Sequence, residues 1–277
     1  MISALLRLFR LRLGLLATVG ALAGYAMYRP ALDARLGLAC AATLVLAAGC
    51  SALNQVQERA EDARMARTRT RPLPAGLIRV PLALGLALGL LAAGLALAAA
   101  CSPAAAGVGL AVAALYNGLY TPLKKHTALA LLAGGLAGAA PPVLGWAAAG
   151  GGLPALPPLA VAGVLYVWQV PHFWLLAWRQ REDYAAAGFK APGPLPYRGR
   201  LPLAVWLAAY CAALAFVPAF NLVDSAPAKW LCVGLAAALA AGAKPILDRN
   251  RLGLALVNAS MLIFLCGLAL DTYALAF

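Results

Sequence analysis

Charge is the scarcest property of this sequence. Only 11% of its 277 residues are charged, and only nine of them are acidic. No polar stretch exceeds roughly 25 residues, too few to bury a core of their own, so a separate soluble domain is excluded. Histidine occurs twice. Six cysteines (Cys40, Cys50, Cys101, Cys211, Cys232, Cys266) include no CxxC pair. That argues against a thiolate metal site or a disulfide framework, and it leaves the cysteines as small packing residues within or beside apolar runs. No long Arg/Ser-rich leader precedes the first apolar run near Leu11. This argues against a transit peptide and favours the cytoplasmic (inner) membrane of a bacterium.

What fills the chain is hydrocarbon. Hydrophobic residues make up 64% of the sequence, in runs of about 20 that recur along its length, the mark of a helical membrane protein. The expected fold is an all-α polytopic membrane protein in one domain, 1–277, with spans near 11–28, 36–53, 78–100, 103–120, 128–149, 155–178, 201–221, 226–246 and 252–275. The net charge of +13 does not indicate nucleic acid, because the basic residues cluster between apolar spans rather than on an amphipathic surface. With the N-terminus in the cytoplasm, 19 Lys and Arg fall on the cytoplasmic side, including Lys190 and Arg198; only Arg29, Arg35 and Lys229 fall opposite. This split follows the positive-inside rule and supports an odd number of spans.

Against this background one stretch stands out, from Asn54 to Gly76, with three of the acidic and five of the basic residues. Asn54, Glu58 and Asp62 are spaced by four, so on an α-helix each step turns the face by only about 40° and the three oxygen-bearing side chains share one side. Arg64, Arg67, Arg69 and Arg71 follow directly. Oxygen ligands beside arginines suit a diphosphate carried by a hard cation such as Mg²⁺. The plainer reading is a solvated loop whose arginines only set membrane orientation.

Other polar groups recur at span ends. Arg10 and Arg12 open the first span, and Arg10 reads as a snorkelling anchor. Tyr116 and Tyr120 close the fourth span one turn apart, ahead of Lys124 and Lys125, either as interfacial anchors or as a wall for an allylic cation. Gly134 and Gly138 form a GxxxG face for close helix packing. Pro141-Pro142 must break the fifth span, which points to a cavity there. His172 lies inside the sixth span, flanked by Trp168, Phe173 and Trp174, either a hydrogen-bonded core residue or a functional group. Asp183 ends that span on the same side as Glu58 and Asp62, so one metal-diphosphate held between the two acidic clusters is expected.

Four blocks, in order, resemble the UbiA-type intramembrane prenyltransferases. They are Asn54-xxx-Glu58-xxx-Asp62 with Met65, Arg67, Thr68, Arg71, Pro72 and Leu73; Tyr120-Thr-Pro-Leu-Lys124-Lys125; the Gly134–Trp146 span; and Pro171-His172-Phe-Trp174 with Asp183-Tyr184 and Gly188. The last block is similar to the haem-modifying branch of the family. The resemblance implies helices around a central cavity under a cytoplasmic cap, and transfer of a farnesyl group from farnesyl diphosphate to a vinyl group of haem B, giving haem O. It implies Mg²⁺ on Asn54, Glu58, Asp62 and Asp183, with Glu58, Asp62, Asp183 and Lys124 as the catalytic set. Arg12, Arg67, Arg71, Lys124 and Tyr120 would bind the diphosphate, and His172 and Trp174 would contact haem. It also implies the lipid bilayer as surroundings and a downstream haem A synthase or terminal oxidase as partner. The chain departs from the broader family in having Gln55 after Asn54, Ala187 four residues after Asp183, and a different run over 189–197.

Two other functions compete with this one. An aromatic or quinone-precursor acceptor would keep the enzyme class. A small-molecule transporter would place its acids at the midplane of the spans, whereas Glu58, Asp62 and Asp183 sit at span ends. Nine spans with a cytoplasmic N-terminus put Phe277 on the opposite face. A reporter active only in the cytoplasm, fused after Phe277, is therefore expected to be silent; activity there would overturn this topology.

Overall fold

The computed structural model describes residues 2–189, 200–249 and 251–274. Lys190 and Arg198 of the charge count, the 190–197 run and the terminal Phe277 lie outside the described residues. Within them every regular element is helical. A short amphipathic helix α1 (Ile2–Phe9) precedes the first span, α2 (Leu11–Tyr28). The following elements are α3 (Ala34–Gln57), α4 (Arg59–Arg64) and α5 (Val80–Cys101). Then come α6 (Pro103–Leu123), α7 (Ala130–Ala149), α8 (Leu156–Arg179) and α9 (Arg181–Ala187). The chain ends with α10 (Leu201–Phe220), α11 (Ala226–Ala241), α12 (Ala243–Leu247) and α13 (Arg251–Ala274).

Eight of these helices are long and apolar enough to cross a membrane, as required of a multi-pass membrane protein. The eighth expected span, 226–246, is the exception. Its helix stops at Ala241 after 16 residues, because Gly242 breaks it and α12 starts a separate turn.

The helices are ordered by both ends. At one end Asp33 caps α3 by accepting from the Leu36 N–H at 2.9 Å, and it also receives the Tyr25 hydroxyl at 2.7 Å. These two donors and the Arg29 guanidinium hold its carboxyl at a pKa of about 2. At the same end Asp271 of α13 accepts from the backbone N–H groups of Asp224 and Ser225, fixing the start of α11. The opposite end carries α1, α4, α9 and the 65–79 turns, which together form a cap.

The tightest crossing is between α2 and α7. Pro141 starts the second half of α7 and splits it at Ala140, as the proline pair requires. The break packs closely against α2. A Cβ on Gly24 would lie 1.9 Å from the Pro142 carbonyl oxygen, and one on Gly145 would lie 1.8 Å from the Ala21 oxygen. The GxxxG residues bring two neighbouring helices close, as expected: Gly134 makes room for the Tyr120 ring of α6 and Gly138 for the Gln169 amide of α8. Gly145→Val is expected to force α2 and α7 apart and to lower the melting temperature of the detergent-purified chain sharply, overpacking of this kind costing about 1–3 kcal/mol or more. Gly85→Ala, where a Cβ meets nothing, is the control and should leave it unchanged.

Candidate active site

The site begins with a kink. Helix α3 ends at Gln57, and Glu58 leaves the helical region at φ −105°, ψ 17°. Two rungs nevertheless carry the i to i+4 pattern through the bend: the Glu58 N–H donates to the Asn54 oxygen at 2.9 Å, and the Asp62 N–H to the Glu58 oxygen at 2.8 Å. Asn54, Glu58 and Asp62 therefore stay stacked on one side. All three are buried, Asp62 completely.

The facing wall is the end of α6, which widens into a π-helix over Ala114–Tyr120. The wider turn sends the Thr121 N–H to the Tyr116 oxygen. The Asn117 carbonyl thus escapes its usual intrahelical partner and accepts from Gln57 Nε2 at 2.9 Å. Asn117 Nδ2 in turn donates to the Cys50 oxygen at 3.0 Å, and Asn54 Nδ2 donates to Thr121 Oγ1 at 3.0 Å. Helices α3 and α6 are thereby riveted side by side. Such π-turns are frequent at functional sites.

Asp62, Glu58 and Glu61 each have their own counter-charge. One Arg71 nitrogen, Nη1, donates to both Asp62 oxygens at 2.8 and 2.7 Å. The Lys124 ammonium abuts Glu58 Oε1, which is buried and has no aligned hydrogen-bond donor. Lys125 meets Glu61 at 2.6 Å. Burial is the largest single influence on Glu61 and opposes its ionisation, but the Lys125 hydrogen bond, a backbone hydrogen bond and the Lys125 and Arg64 charges together outweigh it and hold the carboxyl below its ordinary range. Asp183 pairs with backbone: its carboxylate accepts from the Ala66 N–H at 2.7 Å and the Arg67 N–H at 3.3 Å. The two acidic clusters, 121 positions apart between Asp62 and Asp183, thus meet in one cap. Arg67 is surface-exposed along part of its length, yet crowding by protein atoms and the nearby Arg71 and Arg10 push its guanidinium below the usual value.

Beside the charges lies an aromatic cleft lined by Tyr120, Lys124, Leu131, Phe173, Tyr184 and Phe189. Lys124 Nζ sits 4.6 Å from the Tyr120 ring centre and 5.4 Å from that of Phe189, and Tyr116 packs on Tyr120 with centroids 5.4 Å apart.

Several expected residues therefore converge: Asn54, Glu58, Asp62, Arg67, Arg71, Tyr120, Lys124 and Asp183. Arg12 does not join them. It is exposed on α2, and the residue near the site is Arg10, close enough to act electrostatically on Arg67. Arg10 reaches inward because it alone holds a left-handed backbone, φ 48°, in the joint between α1 and α2. Gln55 also acquires a purpose: fully buried, it donates to the Arg7 and Leu8 carbonyls and pins α1 to the bundle. His172 and Trp174 lie on α8. His172 stacks on Trp168 at 4.8 Å and meets Asn258 of α13, a partner that spacing within one helix could not reveal.

Among the described residues no three carboxylate, thiol or imidazole side chains converge closely enough to hold a metal alone. The donor chemistry fits a different arrangement. Mg²⁺ binds through one or two carboxylates together with substrate phosphate oxygens, and Asp62 with Glu58, whose buried Oε1 lacks an aligned donor, supplies that set.

The UbiA prenyltransferase family model matches residues 15–272. The chain is 41% identical over 275 residues to the protoheme IX farnesyltransferase of Oleidesulfovibrio alaskensis, covering 98% of this chain and 97% of that protein. It is 43% identical over 228 residues to that of Geobacter sulfurreducens, covering 81% and 84%. Among solved structures, a UbiA homolog from Archaeoglobus fulgidus bound to GPP and Mg²⁺ superposes with a TM-score of 0.77 at 19% identity, over 98% of this chain and 99% of that one. A buried acidic face, basic counter-charges and an aromatic cleft at one end of a multi-pass helical bundle thus come with a match across almost the whole sequence: the chain belongs to the UbiA prenyltransferase family.

Proposed function

We propose that this prenyltransferase moves the farnesyl group of farnesyl diphosphate to a vinyl group of haem B, giving haem O. What carries the reading is the likeness, over nearly the full length of both chains, to relatives named for that activity. The residues at the capped end supply what the chemistry demands, and the excess of Lys and Arg at that end supports a cytoplasmic orientation in a bacterial inner membrane.

Asp62, Glu58, Asn54 and Asp183 would hold Mg²⁺, which when bound screens the charge of the diphosphate. Arg71 and Lys124 now neutralise Asp62 and Glu58. With metal held by those carboxylates, both cations would be free for the phosphate oxygens, where, with Arg67 and the Tyr120 hydroxyl, they would stabilise the charge that builds on the leaving group. The C–O bond to the farnesyl carbon breaks and its electron pair leaves with the diphosphate. Tyr120, Phe173 and Phe189 line the cleft and shield the allylic cation from water. The vinyl π electrons form the new C–C bond, and water adds to the resulting carbocation and loses one proton. No protein nucleophile takes part. His172 and Trp174 are the proposed haem contacts, imidazole being a common iron ligand.

Mass spectrometry of haems extracted from cells expressing the chain should reveal haem O that is absent without it. Asp62→Asn should lower its formation about 10²-fold or more, because a charged metal ligand is lost. An acceptor other than haem in the product would redirect the reading to another branch.

The charge pair makes a separate prediction. Arg71→Ala strands a buried carboxylate and should cost about 3–5 kcal/mol of stability, read as a lower melting temperature in detergent. Adding Asp62→Asn to that variant should restore most of the loss. Equal melting temperatures for wild type and Arg71→Ala would show that the pair is not held as described.

A further inference from the structure

The contact between His172 and Asn258 joins two spans at matching depth. His172 lies seven residues inside the Arg179 end of α8, and Asn258 seven residues inside the Arg251 end of α13, each about 10 Å from its helix end at 1.5 Å per residue. The Nδ1 to Oδ1 distance is 2.6 Å. A second bond crosses the same seam one turn away, from Trp168 Nε1 to the Val257 oxygen at 2.7 Å. Trp168 also stacks on the imidazole at 4.8 Å with an interplanar angle of 26°, and Phe173 meets its edge at 5.1 Å. The ring is therefore clamped in plane by its neighbours and in azimuth by one hydrogen bond.

That hydrogen bond has a chemical direction. An amide oxygen only accepts, so its partner Nδ1 must carry the proton. A neutral imidazole protonated at Nδ1 keeps its lone pair on Nε2. Nε2 has no hydrogen-bond partner among the described residues, and it is not sealed in the interior. An outer partner on one ring nitrogen that fixes the tautomer and leaves the other nitrogen as ligand is how metal-binding histidines are held.

We propose that Asn258 is a positioning residue: it fixes His172 as the Nδ1–H tautomer and directs the Nε2 lone pair to the iron of the haem acceptor. This rests on the reading of His172 as a haem contact. It adds a residue on the last span, which carries none of the expected site groups, and makes α13 part of the acceptor site.

The test uses the full-length chain in detergent, titrated with haemin and followed by the Soret band. Farnesyl diphosphate affinity and melting temperature are measured on the same samples. His172→Ala should lose the histidine-ligated Soret signature, and added imidazole should restore it. Asn258→Leu should weaken haem binding about 10- to 100-fold, the usual cost of losing such a partner, with farnesyl diphosphate affinity unchanged. Asn258→Asp keeps an acceptor on Nδ1–H and should retain the ligated spectrum while lowering the iron reduction potential, because a carboxylate partner makes the imidazole more basic.

If His172→Ala abolishes ligation and Asn258→Leu leaves spectrum and affinity intact, the positioning role is wrong while the haem contact stands. If Asn258→Leu loses its fold, Asn258→Asp decides: a lost Soret signature or an unmoved potential overturns the proposal. If His172→Ala changes nothing, or the wild-type chain binds no haemin, the haem-contact reading fails and the proposal falls with it.

Discussion

A carboxylate taken out of water must meet a counter-charge or give up its proton. At the capped end of this bundle that constraint organises everything else. Asp62 is fully buried, and Arg71 answers it from nine residues further on, which folds the 65–71 segment back over the end of α4. Glu58 is buried, and Lys124 answers it from the end of α6. Asp183, arriving after α8, has no ion pair among the described residues and takes two backbone N–H groups of the same folded segment. The cap is thus assembled by acids finding donors, and its parts come from three distant stretches of the chain.

The same pairing gives the site its chemical logic. A metal alone would have to displace Arg71 and Lys124 from their carboxylates and leave two cations without partners. A diphosphate alone would draw off the cations and strand two buried acids. On the proposed function, metal and diphosphate arriving together would satisfy all four groups at once, and the resting pairs would disfavour either half of the substrate complex.

Much of this could be read from sequence because its signals are local. Four-residue spacing placed Asn54, Glu58 and Asp62 on one face, and the rungs through Glu58 preserve that face despite the kink. Apolar runs marked the spans, and Pro141-Pro142 marked the break in α7. The misses share a cause: they depend on backbone turns or on contacts between remote segments. Arg10 and Arg12 are two residues apart, and only the left-handed joint at Arg10 decides which one turns to the site. Gln55 looked like a departure because its partners are carbonyls of α1, forty-seven and forty-eight positions away. Asn258 carries no charge to flag it in an apolar span. The eighth expected span looked continuous because a single glycine among alanines is a weak stop signal, yet Gly242 ends the helix.

That early stop has a mechanical meaning for the surrounding lipid. Sixteen residues in α11 rise only ~24 Å, while a hydrocarbon core is ~30 Å thick. Lys229 and the exposed Trp230 occupy its first turns, residues suited to the interfacial layer rather than to the acyl chains. A bilayer crossed by α11 alone would have to thin or dip to cover its apolar length, at a fraction of a kcal/mol per Å. Lipid chain length, not only sequence, would then set the elastic load on that side of the bundle.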